Sequence, residues 1–141
     1  MENRLFGFLI DSDIQVDIKG NRVFKITTDK SDQGYVFIVV SLKSITMKLL
    51  TYLLIHAKDK EVSREELLRQ VWEGNDLSSS NQRLWQVAKE LRSRLSLIGI
   101  PEGFIESPRG QGYKINNSSI IGLYYETEDE EEYEMGYEME K

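Results

Sequence analysis

Three observations predict an α+β fold for this 141-residue chain. The first forty residues are patterned as short strands, three later segments carry helical spacing with capping signals, and two extended runs flank a glycine-rich tip near residue 110. A chain of this length supports one domain with a genuine core and an appendage.

The strands come first. Leu5 to Ile10 is apolar, and Ile14-Gln15-Val16-Asp17-Ile18 alternates with the period of two expected of a half-buried strand. Gly20-Asn21 reads as a two-residue hairpin turn, because both residue types tolerate positive φ. Val23 to Thr27 alternates again, and Tyr35 to Val40 is a β-rich run that follows the polar stretch Asp29 to Gly34. About four antiparallel strands over residues 5–40 are expected.

Helical spacing begins near Ser44, where Met47, Leu50, Leu53, Leu54 and Ala57 recur at three- and four-residue steps. Ser63-Arg64-Glu65-Glu66 reads as a capping box, with the serine on the third amide and the glutamate reaching back. The helix that it opens carries Leu67, Leu68, Val71 and Trp72 and is expected to stop at Gly74. Ser79-Ser80-Asn81-Gln82 is a second, weaker box, opening a helix with Leu84, Val87, Ala88, Leu91 and Leu95 on one arc. After Gly99 and Pro101, the runs Phe104 to Pro108 and Tyr113 to Ile115 form the arms of a hairpin over residues 103–116.

Composition bounds the function. With no cysteine there is no disulfide or thiol chemistry, and a lone histidine, His56, leaves no His-rich metal site. His56 falls at the end of the first helix, where a cation favours the dipole. No apolar run approaches the ~20 residues that cross a bilayer, and MENRLFGFLI breaks its apolar stretch too early for a signal peptide. The expectation is a cytoplasmic protein away from membranes, with no cofactor and no metal. An enzyme is not expected either. There is no nucleophile–base pair, Gly110-Gln111-Gly112 is too short for a dinucleotide fingerprint, and paired carboxylates occur only in a helix cap and the tail.

The net charge of −6 is unevenly spread. Residues 122–141 hold nine acids and one lysine, whereas residues 1–121 hold 17 basic and 15 acidic side chains. From Arg83 to Ile115 six bases face three acids, and such local fields are what a polyanion meets. The division expected is a domain over 1–119 and an acidic tail over 120–141. Glu126 to Glu140 is too acidic to bury much and is expected to be disordered. The apolar run Ile120 to Tyr125 is open to another role, as an edge strand or a partner contact.

Three helices followed by a hairpin is the layout of a winged helix-turn-helix, in which the third helix enters the major groove. On a helical wheel the face opposite the apolar arc of the third helix carries Gln82, Gln86, Lys89 and Ser93, with Trp85 and Arg92 on one flank. Amides can pair with adenine, and lysine can reach guanine or phosphate, so these residues, with Arg92, are candidates for DNA contact; a solvated helix face is the plainer reading. Arg109 precedes two glycines, where an arginine can enter a minor groove or pair with phosphate; an ordinary turn is the plainer reading there. Trp72 and Tyr113 read as structural. Trp85 is open to stacking on a sugar, a dimer contact or a cover for the core edge.

Val62-Ser63-Arg64-Glu65-Glu66-Leu67-Leu68 with Val71-Trp72, then Leu91-Arg92-Ser93-Arg94-Leu95, then Arg109-Gly110-Gln111-Gly112-Tyr113 resemble, in that order, the OmpR/PhoB-type DNA-binding domain. The resemblance runs from about Leu5 to Ile115 and is nearest to the ToxR/CadC-like group, without that group's membrane span. It implies a sequence-specific regulator of transcription on double-stranded DNA, often acting as tandem dimers on repeated half-sites. It also implies base contacts from Gln82, Arg83, Gln86 and Lys89, wing contacts from Ser107 and Arg109, and a contact with RNA polymerase through the loop 73–80. No receiver domain is expected upstream. Glu90 stands where the family often has a further base, and Pro108 stiffens the wing. Charge complementarity suggests that the tail competes with DNA for the third helix and the wing. The other reading is a protein-interaction module that regulates another transcription factor without binding DNA.

Overall fold

The computed structural model describes residues 3–29, 34–72, 80–116 and 118–126. Four strands come first: β1 (Asn3–Ile10), β2 (Ile14–Asp17), β3 (Arg22–Asp29) and β4 (Gly34–Ser41). Helix α1 (Ser44–His56), the two-residue strand β5 (Val62–Ser63), α2 (Arg64–Val71) and α3 (Asn81–Ser96) follow. A 3-10 turn (Glu102–Phe104) leads into β6 (Ile105–Glu106), β7 (Gly112–Ile115) and β8 (Ile120–Glu126).

The period-two patterns make a five-stranded antiparallel sheet in the order β4-β3-β2-β1-β8. The fifth strand extends this sheet past residue 119, where the sequence reading ended the domain. Ile120 pairs with Ile10 and Glu126 with Asn3, so the second role left open for Ile120 to Tyr125 is a strand on the β1 edge. Its entry is fixed by Asp11: the Asp11 amide donates to the Ser119 carbonyl at 2.8 Å, and the Ser119 amide donates to Asp11 Oδ1 at 2.9 Å. Residues 127–141, the rest of the acidic tail, lie outside the described residues.

The β2–β3 connection differs from the expected two-residue turn. The last pair is Asp17 with Arg22, leaving four residues between them. Asn21 takes the positive φ (55°), while Gly20 donates its amide to Asp17 Oδ1 at 3.2 Å. A Cβ on Gly20 would lie 2.3 Å from Asp17 Oδ2, the end of a side chain held there by the Gly20 amide and Arg22.

One face of the sheet supplies Phe8, Ile10, Ile14, Val16, Val23 and Val40 to a core completed by the helices. The expected stripe on α1 is buried at Met47, Leu50, Leu53, Leu54 and Ala57, and that on α3 at Leu84, Val87, Ala88, Leu91 and Leu95. Each such leucine contributes roughly 1.5–3 kcal/mol of transfer free energy.

The caps are partly redistributed. Ser63 Oγ accepts from the Glu66 amide at 3.1 Å, the expected half of the box. The Glu66 carboxylate instead accepts from the Tyr52 hydroxyl, tying α2 to α1. At α3 the cap is Ser80, not Ser79: its Oγ accepts from the Arg83 amide at 3.1 Å from an extended backbone. That shift makes Gln82 the second helical residue, with no capping duty. Helix α2 ends at Val71 with Trp72 as its C-cap, and Gly74 lies outside the described residues.

The bond to Glu66 is the main reason that the Tyr52 hydroxyl titrates above its ordinary value, with burial and the glutamate's charge adding to it. A phenol whose folded pKa is raised contributes stability that is complete below the unfolded pKa near 10 and is lost as pH climbs through the folded value. Denaturation midpoints should therefore fall above pH 10, and part of that fall should vanish in Tyr52→Phe; identical alkaline profiles would remove this assignment.

Candidate nucleic-acid interface

Helix α3 presents one continuous outer stripe. Gln82, Trp85, Gln86, Lys89 and Ser93 are all exposed and follow at three- and four-residue steps, while the opposite arc is buried. Trp85 is 52% exposed, and Lys89 Nζ lies 4.9 Å from its ring centroid. Of the three uses left open for Trp85, covering the core edge does not fit that exposure. The indole forms a platform that carries the lysine charge. Arg83 is half-buried on the side of the stripe.

Two features alter the expected electrostatics of α3. Glu90, where the resemblance puts a further base, is half-buried one turn on from Gln86 at the margin of the stripe, and its carboxylate lies 3.6 Å from Lys43 Nζ. Its charge is compensated within the fold, although an exposed pair of this kind adds little stability. Arg94 turns to the sheet, donating from Nε and Nη2 to the Ser41 carbonyl at 3.1 and 2.9 Å. Lys43 was not among the residues singled out on sequence; it lies 47 positions from Glu90, and nothing local signals the pairing.

The wing is built on a second sheet, ordered β5-β7-β6. Val62 pairs with Tyr113 and Ser63 with Gly112, while Ile105 pairs with Ile115 and Glu106 with Lys114. At Gly112 a Cβ would fall 2.2 Å from the Val62 carbonyl oxygen, so only glycine lets the strands approach this closely. The tip is a turn closed by the Gly110 amide donating to the Ser107 carbonyl at 3.2 Å, with Pro108 leading it and Gly110 at φ +71°. Arg109 sits at this tip and is exposed. The Ser107 hydroxyl donates to the Gly112 carbonyl at 2.6 Å, so it closes the wing loop from inside.

Arg92 joins helix to wing. Its Nε donates to the Ile105 carbonyl at 2.8 Å, and its guanidinium carbon lies 5.6 Å from the Tyr113 ring centroid. Tyr113 is buried, as expected of a structural residue, and burial pushes its phenol up while Arg92 and Arg64 pull the other way. The sequence-selected residues thus divide. Gln82, Gln86, Lys89 and Arg109 are free to meet a ligand, whereas Arg92 and Ser107 have polar atoms committed to holding the wing.

That division has a measurable consequence. Arg92→Ala should lower stability by about 1–2 kcal/mol through the lost charge-assisted bond, whereas Lys89→Ala should stay within about 0.5 kcal/mol of the parent. Equal denaturant midpoints for the two variants would contradict it.

Among solved structures, the DNA-binding domain of E. coli CadC superposes with a TM-score of 0.61 at 19% identity, covering 86% of this chain and 100% of that one. The DNA-binding domain of the response regulator AdeR, determined in complex with an intercistronic region, gives a TM-score of 0.56 at 20% identity, covering 74% and 95%. At these identities the likeness speaks to the fold, a winged helix with an N-terminal sheet. No curated protein matches the chain by sequence. The model of the family described as "Transcriptional regulatory protein, C terminal" matches residues 39–115, from the end of β4 through all three helices to the last residue of β7. The chain belongs to this OmpR/PhoB-type family of transcriptional regulatory domains.

Proposed function

We propose that the chain is a sequence-specific transcriptional regulator that sets α3 in the major groove of double-stranded DNA and its wing on the adjacent minor groove or backbone. The observation that carries this reading is the outer stripe of α3. Gln82, Gln86 and Lys89 present amides and a cation with no carboxylate among them, and Arg109 is exposed at the tip of the wing tied to that helix. Glutamine amides suit adenine edges, and the two cations suit guanine or phosphate. Arg83 joins from the side of the stripe. Arg92 and Ser107 act by positioning the wing. The role assigned here is binding, not catalysis, and family membership supports it. A dimeric arrangement on DNA and a contact with RNA polymerase through residues 73–80 belong to the same reading; residues 73–79 lie outside the described residues.

Binding of the intact chain to random and selected duplexes should weaken linearly with the logarithm of salt concentration, because phosphate contacts release counterions. Lys89→Ala and Arg109→Ala should each cost roughly 1–3 kcal/mol of binding. No shift even at low salt, with or without the tail, would favour the protein-interaction module instead.

The tail extends the proposal. Residues 127–141 carry eight acids and one lysine, and we infer that they compete with DNA for α3 and the wing, where the positive charge of the body gathers. A deletion should begin after Glu126, because residues 122–126 belong to β8. Removal of 127–141 should tighten DNA binding at low salt, and unchanged affinity would eliminate the competition.

A further inference from the structure

The sheet that carries the helices has an unusual margin. Strand β4, Gly-Tyr-Val-Phe-Ile-Val-Val-Ser, contains no charged residue and pairs only with β3, which leaves its other edge open among the described residues. Natural edge strands are normally protected by charge, proline, a bulge or short length. This one is eight residues long, pairs with β3 in unbroken register from Gly34 to Ser41, and lacks charge and proline. Among the described residues, its edge is closed at the end, where Arg94 takes the Ser41 carbonyl.

Both sides of the strand are apolar. On the face away from the helices, Tyr35, Phe37 and Val39 are exposed, Tyr35 by 76% and Phe37 by 57%, and they adjoin Ile26 and Phe24 of β3. Phe24 and Phe37 already stack at 5.3 Å between ring centroids. On the helix side lie Val36 and Ile38, exposed and half-buried.

The geometry points to a second copy of this chain as the occupant, with β4 pairing antiparallel to its own counterpart about a twofold axis. Face parity restricts the register, because residues opposite each other in an antiparallel pair must share a face. Centring the axis on Phe37 sets Phe37 against its own copy, Tyr35 against Val39 and Val36 against Ile38. These three pairings are all of aromatic or β-branched residues, the kinds that stabilise a sheet, and Gly34 falls opposite Val40 at the ends. Tyr35 and Phe37 alone offer on the order of 500 Å² over two copies, half of the roughly 1,000 Å² that a specific interface requires. Val36, Val39 and the edge backbone add to it.

Charge selects this edge over the other. Strand β8 ends in Glu126 and is followed by eight further acids before Lys141, so joining two β8 edges would bring like charges together. Joining β4 to β8 would be head-to-tail and would build open chains, whereas β4 to β4 closes at two copies. If α3 binds DNA as proposed above, this dimer presents two helices related by a twofold axis. It then calls for inverted half-sites, not the tandem order that the family resemblance implies. That corollary rests on the DNA reading, while the dimer itself does not.

Sedimentation of the intact chain over a range of concentrations, without DNA, tests the assignment. A reversible monomer–dimer equilibrium is expected, with the dissociation constant raised roughly tenfold or more in Phe37→Lys, which opposes two like charges at the axis. Since the chain has no cysteine, Phe37→Cys provides a second readout that does not require the lysine variant to fold. It should form a disulfide-linked dimer on mild oxidation, and Ile121→Cys on the opposite edge should not. A monomer at all concentrations, growth beyond dimers, a dimer indifferent to Phe37→Lys in a folded variant, or preferential cross-linking at residue 121 would each overturn the proposal. Because none of these measurements includes DNA, the dimer and the DNA reading can fail separately.

Discussion

Where the wing stands relative to α3 depends on how β7 is held, and β7 is held from three directions. The Ile115 amide donates to the Ala57 carbonyl just beyond α1 at 2.9 Å, the backbone of β5 pairs along one side, and β6 pairs along the other. Arg92 then spans from α3 to the Ile105 carbonyl and covers Tyr113. The spacing between the outer stripe of α3 and Arg109 is thus set by backbone contacts, by the Arg92 guanidinium and by the core that Phe104, Ile105, Tyr113 and Ile115 share with α3. That spacing is what a groove and its neighbouring phosphates would measure. Gly112 cannot be replaced without movement of the strands, since any side chain there meets the Val62 carbonyl and forces β5 and β7 apart.

Much of this was legible in the sequence, for definable reasons. Helical spacing placed α1 and α3 because their buried stripes are long and regular, and the cap at Ser63 was visible as a local pattern. What escaped depends on contacts distant in sequence. Glu66 could be read as closing its own box, but Tyr52, 14 residues earlier, takes its carboxylate. Ser79 and Ser80 are equivalent as letters, and only the backbone selects the second. Ile120 to Tyr125 resembles any short apolar run, and its strand character comes from β1, more than a hundred residues away. At the site, the exposed residues of α3 followed from periodicity. That Arg92 serves the wing did not, because its partner Ile105 lies on another element.

Charge follows the same logic of separation. Taken whole, the chain is acidic, which argues against a polyanionic partner. Among the described residues, several acids are paired with bases inside the fold. Glu90 is compensated by Lys43 and Asp17 by Arg22, while Lys89 rests on the Trp85 ring and keeps its charge outward. A net charge is a poor guide to a protein whose acids and bases occupy different surfaces, since screening confines each to its own neighbourhood.

The pairing of β1 with β8 also decides how the molecule would respond to being pulled. Asn3 lies opposite Glu126, so both ends of the described fold emerge side by side at one end of adjacent antiparallel strands. A load applied through those ends acts across the ladder and not along it, opening the hydrogen bonds one after another from Glu126 towards Ser119. Strands loaded along their length must break many bonds together, whereas this pair unzips. The Asp11–Ser119 clasp at the far end is the last part of the ladder to receive the force. The sheet would therefore shed β8 before the helices are disturbed, with the clasp as the stop that separates peeling of one strand from loss of the core.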